Sequence, residues 1–274
     1  MNPSEQGIGI LGCGAIGRGL AFAVDGGAIR RAGVVALYDQ DAGRLRGLAE
    51  GLRSHTDACD TVEAFLSVPG VTLVVEAASQ EAVRRNAEAV LASGRDLMVM
   101  STGALLDADL YSRLDAASTE TGCRVFAPSG ALGGIDAVRA SRHELEEVVL
   151  TTRKPPTSLV DSATGEDMSG ITSATVVFEG NASEAVARFP FNINVAATLS
   201  LAGLGPERTR VRIIADPDAK GNNHEVYASG RSGTLRFSME NVPHPDNPMT
   251  SHLAVLSAIE TLRGICEGGV RVGA

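Results

Sequence analysis

The feature that most constrains the fold of this chain is a glycine-rich turn directly after a short apolar run. Residues 7–17 read GIGILGCGAIG and place Gly12, Gly14 and Gly17 in the spacing G-x-G-x-x-G. In a strand–turn–helix unit the first glycine permits a sharp turn and the second lets a pyrophosphate approach the backbone. The third lets the helix pack close to the strand. The pattern therefore predicts a dinucleotide-binding turn.

The residues after the turn support this interpretation. A helical stretch follows at 18–28, and Ala15 and Ile16 stand where the backbone N–H groups of a helix start face phosphate oxygens. A second apolar strand ends at Asp39, at the spacing of about 20 residues where a carboxylate accepts hydrogen bonds from ribose hydroxyls. Its charge repels a 2′-phosphate, so we expect NAD, while the nearby Arg44 leaves NADP possible. The alternative is a glycine-rich turn without a cofactor.

Strands and helices alternate through the first half of the chain, as a doubly wound parallel sheet requires. Helices are predicted at 42–53, 61–66, 80–92 and 106–121, and strands at 34–39, 71–76, 96–100 and 124–127. The fold class predicted is α/β, with an N-terminal Rossmann dinucleotide-binding domain at 1–127.

The second half is rich in strands and predicts a second α+β domain at 128–246, built on a mainly antiparallel sheet. Strands are predicted at 147–152, 174–179, 210–215, 225–230 and 234–241, with a helix at 195–203. We expect this domain to carry substrate binding, catalysis and oligomerisation. A last helix is predicted at 251–267, and the segment 247–274 is expected to pack back on the first domain.

Charge and composition narrow the class of protein. A net charge of −9 argues against nucleic acid and anionic membranes as partners. The four cysteines are far apart and the histidines lack metal-ligand spacing, so we expect neither a disulfide framework nor a metal site. There is no apolar run of about 18 residues and no signal-peptide pattern, which predicts a cytoplasmic protein.

Two segments of the second half carry polar groups suited to chemistry. Asn194 begins an alanine-rich helix, and His224 stands at a turn that enters a strand. A histidine at such an edge acts as a general acid or base near neutral pH. The alternative is a histidine that is merely packed or solvated.

Seven stretches, in order along the chain, resemble the L-aspartate dehydrogenase family. They are VVEAASQEAV at 74–83, APSGA at 127–131, TRKPP at 152–156, FEG at 178–180, VRIIADP at 211–217, NHE at 223–225 and ENVP at 240–243. The resemblance implies NAD-dependent oxidative deamination of L-aspartate to iminoaspartate or oxaloacetate and ammonia, with a possible role in NAD biosynthesis. A small-molecule substrate and a homodimer are expected.

The resemblance also implies residue roles. The histidine of the NHE turn is catalytic in that family, which corresponds to His224. The alanine of the PSGA loop and the asparagine at the helix start contact the cofactor, which correspond to Ala131 and Asn194. Ala78, in the first matching stretch, is expected beside the cofactor as well.

Two positions depart from the family pattern. Phe191 and Met249 stand where family members tend to carry lysine, and a dicarboxylate substrate favours cations. Arg153, Lys154 or Lys220 are then the candidates to bind the substrate's carboxylates.

Three alternatives to this function remain. The first is the dehydrogenation of another amino acid or amine. The second is a sugar or cyclitol dehydrogenase, although residues 98–103 lack the catalytic lysine of that class. The third is an NAD-binding sensor without turnover.

Overall fold

The computed structural model describes residues 6–190, 194–245 and 247–270. The chain divides into two compact units. The first runs through Pro128 and resumes at Ala258, and the second extends from Ser129 to Ser257. The segment 247–257, expected with the first domain, therefore belongs to the second unit.

The first unit is built on a six-stranded parallel sheet in the order β3-β2-β1-β4-β5-β6. Its strands are β1 (Gln6–Leu11), β2 (Ala32–Tyr38), β3 (Asp57–Cys59), β4 (Val71–Glu76), β5 (Asp96–Val99) and β6 (Val125–Phe126). Its helices are α1 (Ala15–Asp25), α2 (Ala42–Gly51), α3 (Val62–Ser67), α4 (Gln80–Ala92) and α5 (Ala108–Thr121). A 3-10 helix covers Thr102–Leu106.

The central strands of this sheet are apolar along their length because a parallel sheet is covered on both faces. Ile8 and Ile10 of β1, Leu37 of β2 and Leu73 and Val75 of β4 are fully buried. The strand order reverses between β1 and β4, and this switch point is where doubly wound sheets bind ligands. The predicted α/β class with a Rossmann domain is confirmed.

The second unit contains a five-stranded sheet in the order β11-β10-β7-β9-β8. Its strands are β7 (Leu145–Lys154), β8 (Thr175–Asn181), β9 (Thr209–Ala215), β10 (Asn223–Gly230) and β11 (Gly233–Glu240). Its helices are α6 (Ile135–Ser141), α7 (Ala182–Arg188) and α8 (Asn194–Ala202). β7 and β9 are parallel, and the other neighbouring strands are antiparallel. The predicted mainly antiparallel sheet is confirmed.

The end of the chain differs from the prediction. Two short strands, β12 (Pro243–His244) and β13 (Asn247–Ser251), pair with each other before the last helix, α9 (His252–Cys266). The backbone N–H of His252 donates to the carbonyl of Val242, so α9 starts directly after this turn. Sequence periodicity did not reveal a pairing this short. Among the described residues, none of the helices is both long and apolar enough to span a bilayer.

Candidate active site

The glycine turn of the first unit depends on close backbone packing at two of its glycines. Gly12 has φ +104°, and a Cβ atom there would lie 2.7 Å from the backbone N of Ala78. A Cβ atom on Gly17 would overlap the carbonyl oxygen of Gly12. The turn, α1 and the segment after β4 are thus held together through positions that have no side chain.

Gly14 has the opposite environment. A Cβ atom there would meet nothing within 4 Å, so the space beside its backbone is open. Gly14 is also the N-cap of α1 and brings no side-chain cap. The first N–H groups of the helix, at Ala15, Ile16 and Gly17, therefore point with the positive end of the helix dipole toward this space. This arrangement fits the pyrophosphate of a dinucleotide.

The carboxylate of Asp39 follows directly on β2 and is fixed by two backbone amides. Its Oδ2 accepts from the N–H of Cys13 at 2.7 Å, and its Oδ1 accepts from the N–H of Asp41 at 2.8 Å. The same acid therefore ties the glycine turn to the end of β2. Each carboxylate oxygen keeps a second lone pair, which suits the ribose hydroxyls of an adenosine.

Glu76 holds the loop that follows β4. Its carboxylate is 2% exposed and accepts from the backbone N–H groups of Ala78 at 2.8 Å, Ser79 at 2.9 Å and Ser101 at 3.0 Å. The Ser101 hydroxyl donates at 2.9 Å as well. Burial raises the pKa of Glu76, while these hydrogen bonds oppose that shift. Glu76 was not predicted from the sequence, although an acid at the end of a continuous apolar strand is a visible signal.

Several of these residues line one groove of about 850 Å³. It is lined by Gly12, Gly14, Asp39 and Ala78, together with Arg44 and Arg85. Its volume lies within the range of small-molecule sites. Of the cofactor residues predicted in the first half of the chain, Gly12, Gly14, Asp39 and Ala78 line this groove, whereas Ala15, Ile16 and Gly17 are not among its lining residues.

His224 lies in the second unit, near the start of β10 and opposite Thr152 of β7. The His224 side chain is 2% exposed, and its Nδ1 lies 3.1 Å from Oγ1 of Thr152. Burial, and then the positive charge of Lys154, lower the pKa of His224 from 6.5 to about 3. Because water is excluded from the ring, the imidazole of the free protein is uncharged at neutral pH.

Lys154 is the last residue of β7 and is 3% exposed. Burial lowers its pKa from 10.5 to about 8. Thr152 and Lys154 continue the buried alternation of Val148 and Leu150 along β7. This alternation is the signal in the sequence that Thr152 and Lys154 lie on the buried face of β7, and it was missed.

Ala131 is held close to the end of the same sheet. Its carbonyl accepts from the side-chain amide of Asn241 at 3.1 Å, and Asn241 follows β11, the partner strand of β10. Asn194 is the first residue of α8, and its side chain is exposed. Phe191 and the side chain of Met249 lie outside the described residues. Within the described ranges, no cluster of three or more potential metal ligands occurs.

The fold and the groove define an NAD-binding oxidoreductase with a separate α+β unit. Residues 12–128 match the family model described as the homoserine dehydrogenase NAD-binding domain, and residues 136–265 match the aspartate dehydrogenase C-terminal model. The chain belongs to the aspartate dehydrogenase family.

Full-length relatives agree with this assignment. An L-aspartate dehydrogenase of Methanosarcina barkeri is 46% identical, with 94% of this chain and 96% of the relative covered. One of Nitrosopumilus maritimus is 42% identical, with 97% and 98% covered. The crystal structure of aspartate dehydrogenase from Thermotoga maritima superposes with a TM-score of 0.76 at 32% identity and covers 98% of this chain and 100% of that one.

Proposed function

We propose that this protein oxidises L-aspartate at Cα with NAD. The product, iminoaspartate, is then hydrolysed to oxaloacetate and ammonia. The observation that carries the chemical assignment is the imidazole of His224, which is buried, oriented by Thr152 and uncharged at neutral pH. Family membership supports the choice of substrate.

His224 is the general base in this proposal. NAD, when bound, accepts the hydride that leaves Cα of the substrate. The amine nitrogen loses a proton as the C=N bond forms, and the neutral imidazole accepts it through Nε2 in the tautomer whose Nδ1–H donates to Oγ1 of Thr152. The reaction consumes L-aspartate and NAD⁺ and yields iminoaspartate, NADH and one proton. Addition of water to the imine then releases ammonia.

The first unit holds the cofactor in this proposal. The N–H groups of Ala15, Ile16 and Gly17 receive the pyrophosphate beside Gly14, and Asp39 receives the adenosine ribose. Ala78 lines the same groove. Ala131 and Asn194 are proposed to contact the nicotinamide half, as the family pattern implies.

The test is a panel of amino acids with NAD or NADP, followed at the NADH absorbance. We expect kcat/KM for L-aspartate to exceed that for L-alanine and 2-aminobutyrate by a factor that corresponds to several kcal/mol of transition-state free energy. The reason is that an unpaired buried carboxylate is costly and a paired one is favourable. Values for aspartate and alanine within a factor of ten would overturn the substrate. The absence of NADH with every amino acid would favour a sensor.

A homodimer in the cytoplasm completes the proposal. Light scattering after size exclusion is expected to give twice the 28.3 kDa of the chain. A mass equal to that of one chain would contradict the dimer.

A further inference from the structure

The inner face of the second sheet changes from apolar to polar at one end. Along β7, Val148 and Leu150 are fully buried, and Thr152 and Lys154 continue the same face with 0% and 3% exposure. His224 lies opposite Thr152 on β10 and shares this face. The three polar side chains form a buried row, which we call the 152–154–224 row.

The register places Lys154 diagonal to His224. Residues two apart on a strand lie about 7 Å apart, and diagonal neighbours on adjacent strands lie about 7–8 Å apart, within reach of a long side chain. The charge of Lys154 contributes to the lowered pKa of His224. A proton acceptor, His224, and a cation, Lys154, therefore lie on the same buried face of the sheet.

We propose that Lys154 binds a carboxylate of the amino-acid substrate beside His224. This inference rests on the proposed function, because it assigns His224 to the reacting amine. An amino acid at this site presents an amine to the imidazole and a carboxylate to the ammonium. A pKa of about 8 leaves Lys154 mostly charged at pH 7, as this role requires.

The other two candidate cations do not fit this role. Arg153 precedes Lys154 on β7 and points to the opposite face, where its Nη1 lies 2.8 Å from Oδ2 of Asp216. Lys220 is exposed in the connection between β9 and β10. Of the three cations that the sequence suggested, Lys154 alone shares the buried face with His224.

The first experiment compares Lys154→Met with the matched control Lys220→Met. Methionine keeps most of the length of lysine without its charge. We expect Lys154→Met to lower kcat/KM for aspartate by about 100-fold, the size of a lost charge-assisted hydrogen bond, with the Kd of NAD unchanged. Lys220→Met is expected to behave like the wild type.

Assays of Lys154→Met with L-alanine as a second substrate show which carboxylate of the substrate Lys154 binds. A decrease in kcat/KM with aspartate alone places Lys154 at the side-chain carboxylate. A decrease in kcat/KM with both substrates places it at the α-carboxylate. Either result supports the proposal. A Lys154→Met enzyme that keeps its aspartate kcat/KM within threefold overturns it. A wild-type enzyme that does not oxidise aspartate overturns the proposed function instead.

The second experiment needs no turnover and no variant. The sequence contains two lysines, Lys154 and Lys220, so protein labelled with ¹³Cε-lysine gives two side-chain signals. Succinate, a four-carbon dicarboxylate without an amine, is added to the NADH-bound enzyme during a pH titration. We expect the pKa of Lys154 to rise from about 8 when succinate binds. An unchanged Lys154 midpoint at saturating succinate would overturn the proposal even if Lys154→Met fails to fold.

Discussion

At the scale of single residues, burial decides the protonation of His224. The imidazole shares a sheet face with Thr152 and Lys154, and water that would stabilise its charged form is excluded. In the free protein the ring is neutral at physiological pH. A base that is already deprotonated accepts a proton directly, and a bound substrate carboxylate would raise its pKa toward the working range.

We expect His224→Ala to lower kcat by roughly 10²–10⁴-fold, the usual contribution of a general base, while NAD binding stays intact. His143, an exposed histidine in the same unit, supplies the control His143→Ala. Steady-state kinetics and a fluorescence titration with NADH separate turnover from binding. A His224→Ala variant with more than a tenth of the wild-type kcat would place the base elsewhere.

The same histidine predicts an acid-sensitive stability. Its pKa of about 3 in the folded state lies below the unfolded value of 6.5, so the unfolded chain binds more protons between these values. The contribution of His224 to the free energy of unfolding is fully present above pH 6.5. It is lost as the pH falls toward 3, at up to about 1.4 kcal/mol per pH unit. We expect urea unfolding of His224→Gln to depend less on pH between 6.5 and 4. Parallel pH curves for the two proteins would contradict this.

Asp39 predicts the choice between the two nicotinamide cofactors. Its carboxylate repels a 2′-phosphate, so NAD is expected to bind more tightly than NADP. Asp39→Ala should reduce the difference between the affinities for NAD and NADP. It should also weaken the binding of NAD, because the amides of Cys13 and Asp41 lose their acceptor. Calorimetry with both cofactors measures the two effects. Equal wild-type affinities would rule out this role.

At the scale of elements, the β–turn–α unit at the start of the chain was predictable because its signals are local. This unit consists of the strand, the glycines and the acid after β2, which are close in sequence. Each of them has a defined role in the turn. β4 and α4 were predicted with their observed bounds, 71–76 and 80–92. β3, α6, α7, β12 and β13 were missed, because elements of two to seven residues give little periodicity.

The two glycines of this turn should respond differently to alanine. Gly14→Ala meets open space at an allowed backbone conformation (φ −71°), so the protein should fold normally and lose NAD affinity. Gly17→Ala collides with the backbone of Gly12 and should lower the stability of the first unit. Thermal unfolding and NAD calorimetry on both variants make the comparison. Unchanged NAD binding in Gly14→Ala would contradict the assignment of the pyrophosphate to the space beside Gly14.

At the scale of the whole molecule, the chain consists of two units with different tasks in the proposed function. The nucleotide groove belongs to the unit that runs through Pro128, and the 152–154–224 row belongs to the unit from Ser129 to Ser257. A ligand that binds one folded unit stabilises that unit by mass action.

NAD should therefore raise the unfolding temperature of the first unit. At 100 times its Kd the added stability is about 2.7 kcal/mol. Differential scanning calorimetry with and without NAD measures the shift, and Gly14→Ala serves as the control that should not respond. A wild-type protein whose transitions all stay in place with NAD would contradict the assignment of the groove.

The sequence by itself determined the fold class and the glycine turn and singled out His224 for the proposed catalytic role, since these depend on local patterns and on family motifs. The tertiary structure alone decided how that histidine is charged and what lies beside it. Thr152 and His224 are 72 residues apart in the chain, and only the strand register brings them together. The burial that keeps the imidazole neutral and lowers the pKa of Lys154 arises from this long-range pairing, because the low dielectric exists only once the chain has folded around both groups.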